Sequence, residues 1–413
     1  MSDKLSDAEL IRTLQVRRKH DKSMPAAAAE LGISTRSLRE RVTEAKNRGL
    51  TTSTKIVDET DRLKTKVKTL EAELAGIKRD NVTAEDIREK IYGLASSTPS
   101  PPKWLHISKP GRSSGVPVVV WSDFHWGERV FPEEVGGVNE FNRAIAKGRL
   151  RNLVAATIDL TKNHMVNPDY PGIVVCLGGD MISGGIHDEL RETNEGPIQV
   201  TLLEVQEELI TALTKVADAF GKVFVPCVVG NHGRMTLKPR AKHRVFESYE
   251  WNLYCQLERH FKNDPRIQFL IPSEADAHFS VFGHRLMLTH GDALGVKGGD
   301  GIIGSLGPIA RGTLKVGRSE AQVGRDFDTL IIGHWHSYIP RGEAVPVIVN
   351  GALKGYDEYA RLYLRARFSR ASQALFFVHP KYGITAQWQI YLQENAKTDA
   401  ARGATWVSWE TRP

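Results

Sequence analysis

Short apolar runs alternate with longer helical stretches in the second part of the chain. Six runs of β-branched or aliphatic residues are predicted to be strands: Val116–Trp121, Ile173–Leu177, Val223–Val229, Arg285–Thr289, Thr329–Ile332 and Val345–Val349. Helical periodicity predicts three helices, over Phe141–Thr161, Ile198–Phe220 and Val245–Phe261. Strands that are apolar throughout and separated by helices indicate sheets buried under helices, so residues 116–413 are predicted to fold as a layered α/β domain. Further strands with alternating polar positions are predicted over Arg361–Trp388.

The first 50 residues have a helical pattern of their own. Ser6 is predicted to cap a first helix, Gly32 to end a later one in a tight turn, and Ser34 to cap the helix that follows. The apolar residues around this turn are predicted to form a small core, namely Leu31, Ile33, Leu38 and Val42. The sequence therefore predicts a compact all-helical module over residues 1–50.

The spacing within this module, A-x-x-L-G-I-S-x-x-x-L-x-x-R-V from Ala28 to Val42, resembles the helix-turn-helix of DNA-binding proteins. In that motif the second helix enters the major groove, led by its N-terminal residues. The resemblance implies that the residues facing DNA are Thr35, Arg36, Arg39 and Arg41. A helical hairpin used for protein contacts is the alternative interpretation, because short motifs also match by chance.

The charge of the chain is concentrated in the same module. Residues 1–50 carry 11 Lys and Arg against 7 Asp and Glu, so they contribute +4 to the net charge of +7. The remaining 363 residues contribute only +3. This asymmetry favours attraction to nucleic acid, and a solvated helical surface is the alternative.

Two connecting segments are predicted between the helical module and the α/β domain. Residues 51–95 are predicted to be a helical connector, because apolar residues from Ile56 to Ile77 fall at alternating spacings of four and three. This coiled-coil seam pairs either with a second copy of the chain, giving a homodimer, or with the α/β domain. Residues 96–115 are rich in Pro, Ser and Gly and are predicted to be a linker.

Five of the predicted strands are each followed by a cluster of Asp, Asn or His with glycine beside it. These clusters are Ser122–Gly127, Gly178–Asp180, Gly230–Gly233, His290–Asp292 and Gly333–His336. The carboxyl ends of neighbouring strands meet at one edge of a sheet, so the side chains are predicted to converge on one crevice. Carboxylate and imidazole groups suit transition metals, and the five clusters together contain too many such donors for one ion. The sequence therefore predicts two divalent metal ions. The predicted ligands are Asp123, His125, Asp180, Asn231, His290, His334 and His336.

The pattern D-x-H, G-D, G-N-H, H and G-H-x-H, at intervals of roughly 45–60 residues, resembles the calcineurin-like metallophosphoesterase superfamily. The resemblance covers about residues 116–355 and implies a layered β-sandwich flanked by helices. It implies one metal site built from Asp123, His125, Asp180 and His336. It implies a second site completed by Asn231, His290 and His334, with Asp180 bridging both ions. It also implies that His232 contacts the phosphate and assists the leaving oxygen.

The chain departs from this pattern after Asn231. Many members of the superfamily have Asp or Glu after G-N-H, where this chain has Gly233 and Arg234, so the support of His232 is expected to differ. The basic residues that follow are predicted to guide a phosphate backbone, with a solvated face as the alternative. They are Arg234, Lys238 and Arg240. This stretch, together with the N-terminal helix-turn-helix, resembles uncharacterised phage and prophage members.

Three functions remain open at this point. The first is a DNA nuclease that the N-terminal module directs to its substrate. The second is a phosphomonoesterase or cyclic phosphodiesterase acting on nucleotides or phosphoproteins. The third is a DNA-binding assembly protein with a vestigial metal site, which the complete ligand set disfavours. Mn²⁺ is the expected metal, and Fe, Zn or Ni suit the same donors.

The expected location is the cytoplasm. No apolar run approaches the ~18 residues that a membrane span needs, and the first residues lack the apolar segment of a secretory signal. Three widely separated cysteines, two of them in apolar runs, indicate buried thiols in a reducing compartment.

Overall fold

A computed structural model of the chain describes residues 5–53, 64, 66–69, 101–105, 115–294, 306–341 and 346–393. The chain divides into two compact units, Met1–Thr83 and Ala84–Pro413. Most of the predicted heptad seam over 56–77 lies outside the described residues, and its described members, Lys64 and 66–69, are helical. Most of the predicted linker over 96–115 also lies outside them.

The first unit contains three helices, α1 (Asp7–Lys19), α2 (Met24–Glu30) and α3 (Thr35–Asn47). Ser6 caps α1 as predicted, because its side chain accepts from the Glu9 amide while the Glu9 carboxylate accepts from the Ser6 amide. Gly32 lies between α2 and α3 with φ of 66°, a conformation that favours glycine. Ser34 caps α3 by accepting a hydrogen bond of 3.1 Å from the Ser37 amide.

A small apolar core holds these helices together. Of the predicted core residues, Leu38 and Val42 are buried, and Leu31 and Ile33 are half-buried against the same cluster. The helices and turns predicted for this module are therefore confirmed, whereas its use on DNA stays a prediction.

The second unit alternates strands and helices along most of its length. Its strands are β1 (Val116–Trp121), β2 (Ile173–Leu177), β3 (Val223–Pro226), β4 (Ile267–Leu270), β5 (Ala277–Val281), β6 (His284–Thr289), β7 (Thr329–Ile332), β8 (Ile339–Arg341), β9 (Val347–Val349), β10 (Ser372–His379) and β11 (Gly383–Tyr391). Its helices are α4 (Arg143–Asn163), α5 (Asp188–Thr193), α6 (Ile198–Phe220), α7 (Tyr249–Phe261), α8 (Leu306–Gln322) and α9 (Glu358–Leu362). None of the described helices combines the length and the apolar composition that crossing a bilayer requires.

The strands form two sheets. One has six strands in the order β11-β10-β1-β2-β3-β4, and the other has five in the order β5-β6-β7-β9-β8. The strands from β1 to β4 run parallel, as do β6, β7 and β9, whereas β10 and β11 add antiparallel pairs at one side. The parallel strands therefore direct their carboxyl ends to one edge of each sheet.

Alternate residues of β1 enter two different apolar cores. Val118 and Val120 belong to a core shared with Phe279, Leu288 and other residues of the second sheet. Val119 and Trp121 instead pack into a core with residues of α4, α6 and α7. A third core joins the outer face of the second sheet to Ile309 of α8. The predicted layered α/β fold is confirmed, and burial on both faces explains why β1 is apolar throughout.

The sequence prediction differs from the structure in the tail. Residues 363–371 form no strand, and Glu358–Leu362 is a short helix. β10 is buried along almost its whole length, because it lies beside β1 between two apolar layers, so it does not show the predicted polar alternation. The short strands β4, β5 and β8 were not predicted.

A short part of the predicted linker, residues 103–105, packs on the second unit. Leu105 is fully buried in the core between the two sheets, and its carbonyl accepts a hydrogen bond of 2.6 Å from the Phe282 amide. Trp104 packs against the same core. Residues 103–105 therefore belong structurally to the second unit, and a shortened chain needs to keep them.

Candidate metal centre

All seven predicted metal ligands lie together at the strand ends. Asp123 and Asp180 follow β1 and β2 of the first sheet, whereas His290 and His334 follow β6 and β7 of the second. The ligands therefore converge where two sheets meet, and a single sheet edge does not supply them all. The layered arrangement brings together residues that are more than 200 positions apart in the chain, such as Asp123 and His334.

One group of ligand atoms is formed by Asp123, His125 and His336. These atoms lie within 4.8 Å of one another. The His336 Nε2 atom is 3.3 Å from Asp123 Oδ1 and 3.2 Å from His125 Nε2. Two imidazole nitrogens directed at each other and at a carboxylate are the arrangement expected of donors that share one cation.

A second group is formed by Asp180, His290 and His334, whose ligand atoms also lie within 4.8 Å of one another. The His290 Nε2 atom is 3.1 Å from Asp180 Oδ2 and 3.1 Å from Asn231 Oδ1. Asn231 therefore joins this group, as predicted. Each group offers carboxylate and imidazole donors, and their use as metal ligands remains a prediction.

Asp180 lies between the two groups. Its Oδ1 atom accepts a hydrogen bond of 2.8 Å from the His232 amide, and its Oδ2 atom lies 3.9 Å from His125 Nε2. Oδ2 is buried and forms no hydrogen bond of acceptable geometry with a described residue. A buried carboxylate oxygen in this state fits a bridging position between two cations, because buried charges are paired or coordinate metals.

The charges around Asp180 reinforce this fit. Burial alone raises the pKa of the Asp180 carboxyl, but His290 and His232 outweigh burial and hold that pKa well below its usual value. Burial lowers the pKa of His290, yet the Asp180 carboxylate raises it to about 10. The Asp180 carboxylate and the His290 imidazole are thus a close pair, with Oδ2 and Nε2 3.1 Å apart.

The imidazoles are oriented by backbone carbonyl groups. His290 Nδ1 lies 2.9 Å from the Gly178 carbonyl oxygen, and His232 Nδ1 lies 2.8 Å from that of Ser183. A hydrogen bond donated by Nδ1 leaves Nε2 directed toward the centre, as in protein metal sites. Burial and the charge of His290 lower the pKa of His334 to about 4, so His334 is neutral and able to donate a lone pair near neutral pH.

Five of the seven predicted ligands have a left-handed backbone. The φ angles of Asp123, His125, Asp180, His334 and His336 lie between 49° and 64°. Such a conformation costs a non-glycine residue about 1–3 kcal/mol, and in folded proteins it concentrates at functional sites. Five of the eleven described non-glycine residues with positive φ are thus predicted metal ligands.

Glu250 on α7 is a site residue that sequence reasoning missed. It is fully buried, and its two carboxylate oxygens accept hydrogen bonds of 2.6 and 2.7 Å from the amides of Met181 and Gly230. These amides directly follow Asp180 and directly precede Asn231 in the chain. Glu250 therefore holds two ligand-bearing loops to each other.

The departure at Gly233 is explained by the same glutamate. A Cβ atom at residue 233 would lie 2.6 Å from Glu250 Cγ, which leaves no room for a side chain. Many members of the resembled superfamily have an acid at this position, and here an acid from α7 fills the space next to it. Burial and the charge of Asp180 raise the pKa of Glu250 to about 7. In the sequence, the glycine at position 233 was the signal that an acid from elsewhere in the chain occupies this space.

A second buried carboxylate lies behind His125. Glu128 Oε2 is 3.2 Å from His125 Nδ1, and Glu128 Oε1 accepts a hydrogen bond of 2.7 Å from Lys354. Lys354 also pairs with Asp357 at 2.6 Å, and all three charged residues are buried. Burial alone lowers the pKa of Lys354, but Asp357 and Glu128 together raise it. This buried network lies against the His125 ring and was not predicted.

The three predicted phosphate-guiding residues differ in their exposure and in their contacts. Arg234 donates to the carbonyl groups of Asn231, Thr236 and Leu237, so its guanidinium holds its own loop. Arg240 pairs with Glu247 at 3.3 Å, and Lys238 is exposed. Only Lys238 of the three is thus exposed without a described salt bridge or side-chain hydrogen bond.

The predicted DNA-facing residues lie on α3. Thr35, Arg36 and Arg39 are exposed, and Arg36 pairs with Glu40 one turn away at 3.2 Å. Arg41 is half-buried. Hydrogen bonds with Ser6 are the main cause of the lowered pKa of Glu9 on α1, and the charge of Arg41 lowers this pKa further. Arg41 therefore lies toward α1, whereas the other three are accessible to a partner.

A cavity of about 310 Å³ lies beside His232. Its lining includes Trp126, Arg191, Asn194 and Tyr249. Gly184, which also lines it, approaches the His232 carbonyl so closely that a Cβ atom would overlap it. None of the predicted metal ligands lines this cavity, so it lies next to the centre and is not part of it.

Comparison with known proteins yields structural similarity only. No family model and no curated protein sequence matches the chain. An archaeal phosphodiesterase is similar over 66% of this chain and 99% of its own, with 11% identity and a TM-score of 0.32. A dimetal phosphatase from Danio rerio is similar over 68% and 100%, with 11% identity and a TM-score of 0.33. Vps29 from Entamoeba histolytica is similar over 66% and 99%, with 11% identity and a TM-score of 0.29. Similarity at this level assigns no function to the chain.

The role of Glu250 gives a first prediction. Glu250→Ala removes the acceptor of two loop amides, and we expect metal affinity to fall about 10–100-fold, as when other supports of metal ligands are lost. Glu250→Gln, which keeps one acceptor oxygen, should be intermediate. Gln256→Ala on the same helix is the control. Titration with Mn²⁺ followed by calorimetry measures the affinity.

A second substitution makes this prediction specific. Gly233→Glu should unfold the chain at a lower temperature when Glu250 is present, because the two side chains overlap. In the Glu250→Ala background it should instead recover part of the lost metal affinity. Equal metal affinity of Glu250→Ala and the unchanged chain would contradict the positioning role.

Proposed function

We propose that the chain is a dinuclear-metal phosphoesterase of the calcineurin-like superfamily that hydrolyses phosphodiester bonds in DNA. The observation that carries the proposal is the pair of ligand groups around one shared carboxylate, Asp180, with His232 beside them. Two such groups fit two ions about 3.5–4 Å apart, the spacing used for phosphoryl transfer. We propose Mn²⁺ for both ions, and Fe, Zn or Ni suit the same donors.

The two ions, when bound, supply Lewis acidity toward a phosphoryl oxygen and make a water molecule nucleophilic at neutral pH. The chain's own residues hold the geometry for this reaction. Asp180 joins both groups, and Glu250 fixes the loops that carry Asp180 and Asn231. Glu128 fixes His125 from behind. Such contacts preorganise the site.

His232 is proposed to contact the phosphate and assist the leaving oxygen. Its amide donates to Asp180 Oδ1, and its Nδ1 atom is held at the Ser183 carbonyl, so its Nε2 atom is directed into the site. The His125 ring lies 4.5 Å from the His232 ring, measured between centroids. His232 therefore lies beside His125 and Asp180, two of the proposed metal ligands.

DNA as the substrate is supported by the N-terminal unit. Its α3 helix is capped by Ser34 and exposes Thr35, Arg36 and Arg39 near its N-terminus, as a recognition helix requires. We propose that this unit binds duplex DNA and that the coiled-coil seam makes the chain a homodimer, which raises the effective concentration of the second DNA contact.

A second candidate is a phosphoesterase acting on small nucleotides. The cavity beside His232 favours it, because Trp126, Tyr249 and Arg191 offer aromatic and cationic contacts to a compact ligand. A small substrate would not need the N-terminal unit, so the effect of removing that unit on duplex DNA binding separates the two candidates.

The metal centre gives the second prediction. Asp180→Asn should abolish hydrolysis of bis(p-nitrophenyl) phosphate and of DNA, whereas His232→Ala should lower kcat about 10²–10⁴-fold and retain both metal ions. His164→Ala, at an exposed histidine, is the control. Turnover is measured with Mn²⁺, and metal content by mass spectrometry. Near-normal turnover of Asp180→Asn, or loss of an ion from His232→Ala, would contradict the respective role.

The N-terminal unit gives the third prediction. A chain that starts at residue 101, which keeps buried Leu105, should hydrolyse bis(p-nitrophenyl) phosphate normally but bind long duplex DNA more weakly. Arg36→Ala and Arg39→Ala in the full chain should each reduce the salt slope of duplex binding by about 1, because each loses a phosphate contact. Lys46→Ala at the other end of α3 is the control.

Fluorescence anisotropy on a labelled duplex across a salt series gives both quantities. Light scattering on the same two chains measures self-association, which the shortened chain should show less. Equal duplex affinity of the full and the shortened chain would remove DNA targeting from the proposal and favour the small-nucleotide substrate.

A further inference from the structure

An exposed strip of aromatic and arginine side chains begins in α9 and continues beyond its end. The aromatic members are Tyr359, Tyr363 and Phe368, with 60%, 72% and 41% of their surface exposed. The arginine members are Arg361, Arg365 and Arg367, which are also exposed. We name these six residues the 359–368 strip. The function described above uses none of them.

The strip has a defined conformation. The amides of Leu364 and Ala366 donate to the carbonyl oxygens of Tyr359 and Ala360, at 3.1 and 2.9 Å. The Tyr356 hydroxyl donates to the Ala366 carbonyl at 3.1 Å. The rings of Tyr359 and Tyr363 lie 5.6 Å apart between centroids, with their planes tilted by 33°. The backbone therefore presents two aromatic rings side by side to solvent.

Both ends of the strip are fastened to the metal centre. Beyond its end, the Ser369 hydroxyl donates to the carbonyl oxygen of His336 at 3.1 Å. Before its start, Asp357 caps α9 and pairs with Lys354, which in turn binds Glu128 behind His125. The segment that carries the strip is thus linked at one end to His336 and at the other end, through Lys354 and Glu128, to His125.

The strip carries positive charge that is not neutralised nearby. Arg361, Arg365 and Arg367 form no salt bridge with a carboxylate among the described residues. The nearest acid along the chain, Glu358, is occupied, because its carboxylate accepts a hydrogen bond of 2.7 Å from the Phe131 amide. The strip is therefore complementary to a polyanion.

We propose that the 359–368 strip binds single-stranded nucleic acid and leads it to the metal centre. Stacking of successive bases on aromatic rings, combined with arginine contacts to the backbone, is how sequence-independent single-strand binding proteins work. A duplex buries its base faces, so it offers the tyrosine rings nothing to stack on. The role in cleavage rests on the nuclease function proposed above, whereas binding itself does not.

A protein partner is the competing occupant, because Leu362 and Leu364 are exposed as well. The charge of the strip favours nucleic acid, since interface cores between proteins are depleted of charged residues. The position beside His336 also favours a ligand that contains phosphodiester bonds. The experiment below treats a protein interface as one of its outcomes.

The test measures the affinity of the full chain for a labelled oligo-dT single strand and for a duplex of equal length. The Asp180→Asn background prevents cleavage of the probe, and Mn²⁺ is present throughout. Tyr359→Ala combined with Tyr363→Ala should weaken single-strand binding about tenfold or more and leave duplex binding within about twofold. Replacing both tyrosines with Phe should retain single-strand affinity, because the stacking faces remain.

Charge and location are tested by further variants. Arg365→Glu combined with Arg367→Glu should also weaken single-strand binding and reduce its salt dependence. Tyr382→Ala is the aromatic control, because Tyr382 is 66% exposed but lies at the turn between β10 and β11. Arg151→Glu, at an exposed position of α4, is the charge control. Hydrolysis of bis(p-nitrophenyl) phosphate by the same variants with Asp180 restored reports on folding.

The outcomes separate this proposal from the proposed function. Unchanged single-strand affinity of the tyrosine and arginine variants would overturn the proposal, even if the chain cleaves DNA. A change in molar mass by light scattering, with single-strand affinity unchanged, would identify the strip as a protein interface and also overturn it. Strip-dependent single-strand binding by a chain that cleaves no DNA would support the strip and contradict the nuclease function.

Discussion

The structure of the second unit depends on one buried carboxylate, that of Asp180. A carboxylate removed from water is unstable unless cations or hydrogen-bond donors surround it. Here the His232 amide, the His290 ring and the His125 ring approach it from three separate loops. The two sheets meet at this point. The layered fold therefore brings the strand ends together where the buried charge needs its partners.

The loops around Asp180 are held in conformations that are unfavourable on their own. The left-handed backbone of Asp123, Asp180 and His334 costs free energy, and hydrogen bonds between the loops offset it. The Asp123 amide donates to the Gly179 carbonyl, and the His334 amide donates to the Asp123 carboxylate. The loops that carry the ligand residues are therefore held together by hydrogen bonds between them.

The residues predicted to bind metal and the residues that support them were not equally predictable from the sequence. The seven predicted ligand residues follow apolar strands and are flanked by glycines, so strand prediction and spacing were enough to predict that they converge; their binding of metal stays a prediction. Glu250, Glu128 and Lys354 were not predictable in this way, because their roles depend on which helices and loops pack behind the ligands. For Glu250 the only trace in the sequence was the missing acid at Gly233. The tail misled because the Arg361–Phe368 segment has strand-like composition but lies on the surface, where no neighbouring strand pairs with it.

The central claim is that two metal ions share Asp180. The most direct measurement is electron paramagnetic resonance of the purified chain titrated with Mn²⁺. Two ions about 3.5–4 Å apart and joined by a carboxylate are magnetically coupled, so the spectrum at two equivalents should show an exchange-coupled pair. A spectrum of isolated Mn²⁺ at every ratio up to two equivalents, or binding that saturates at one equivalent, would contradict the account.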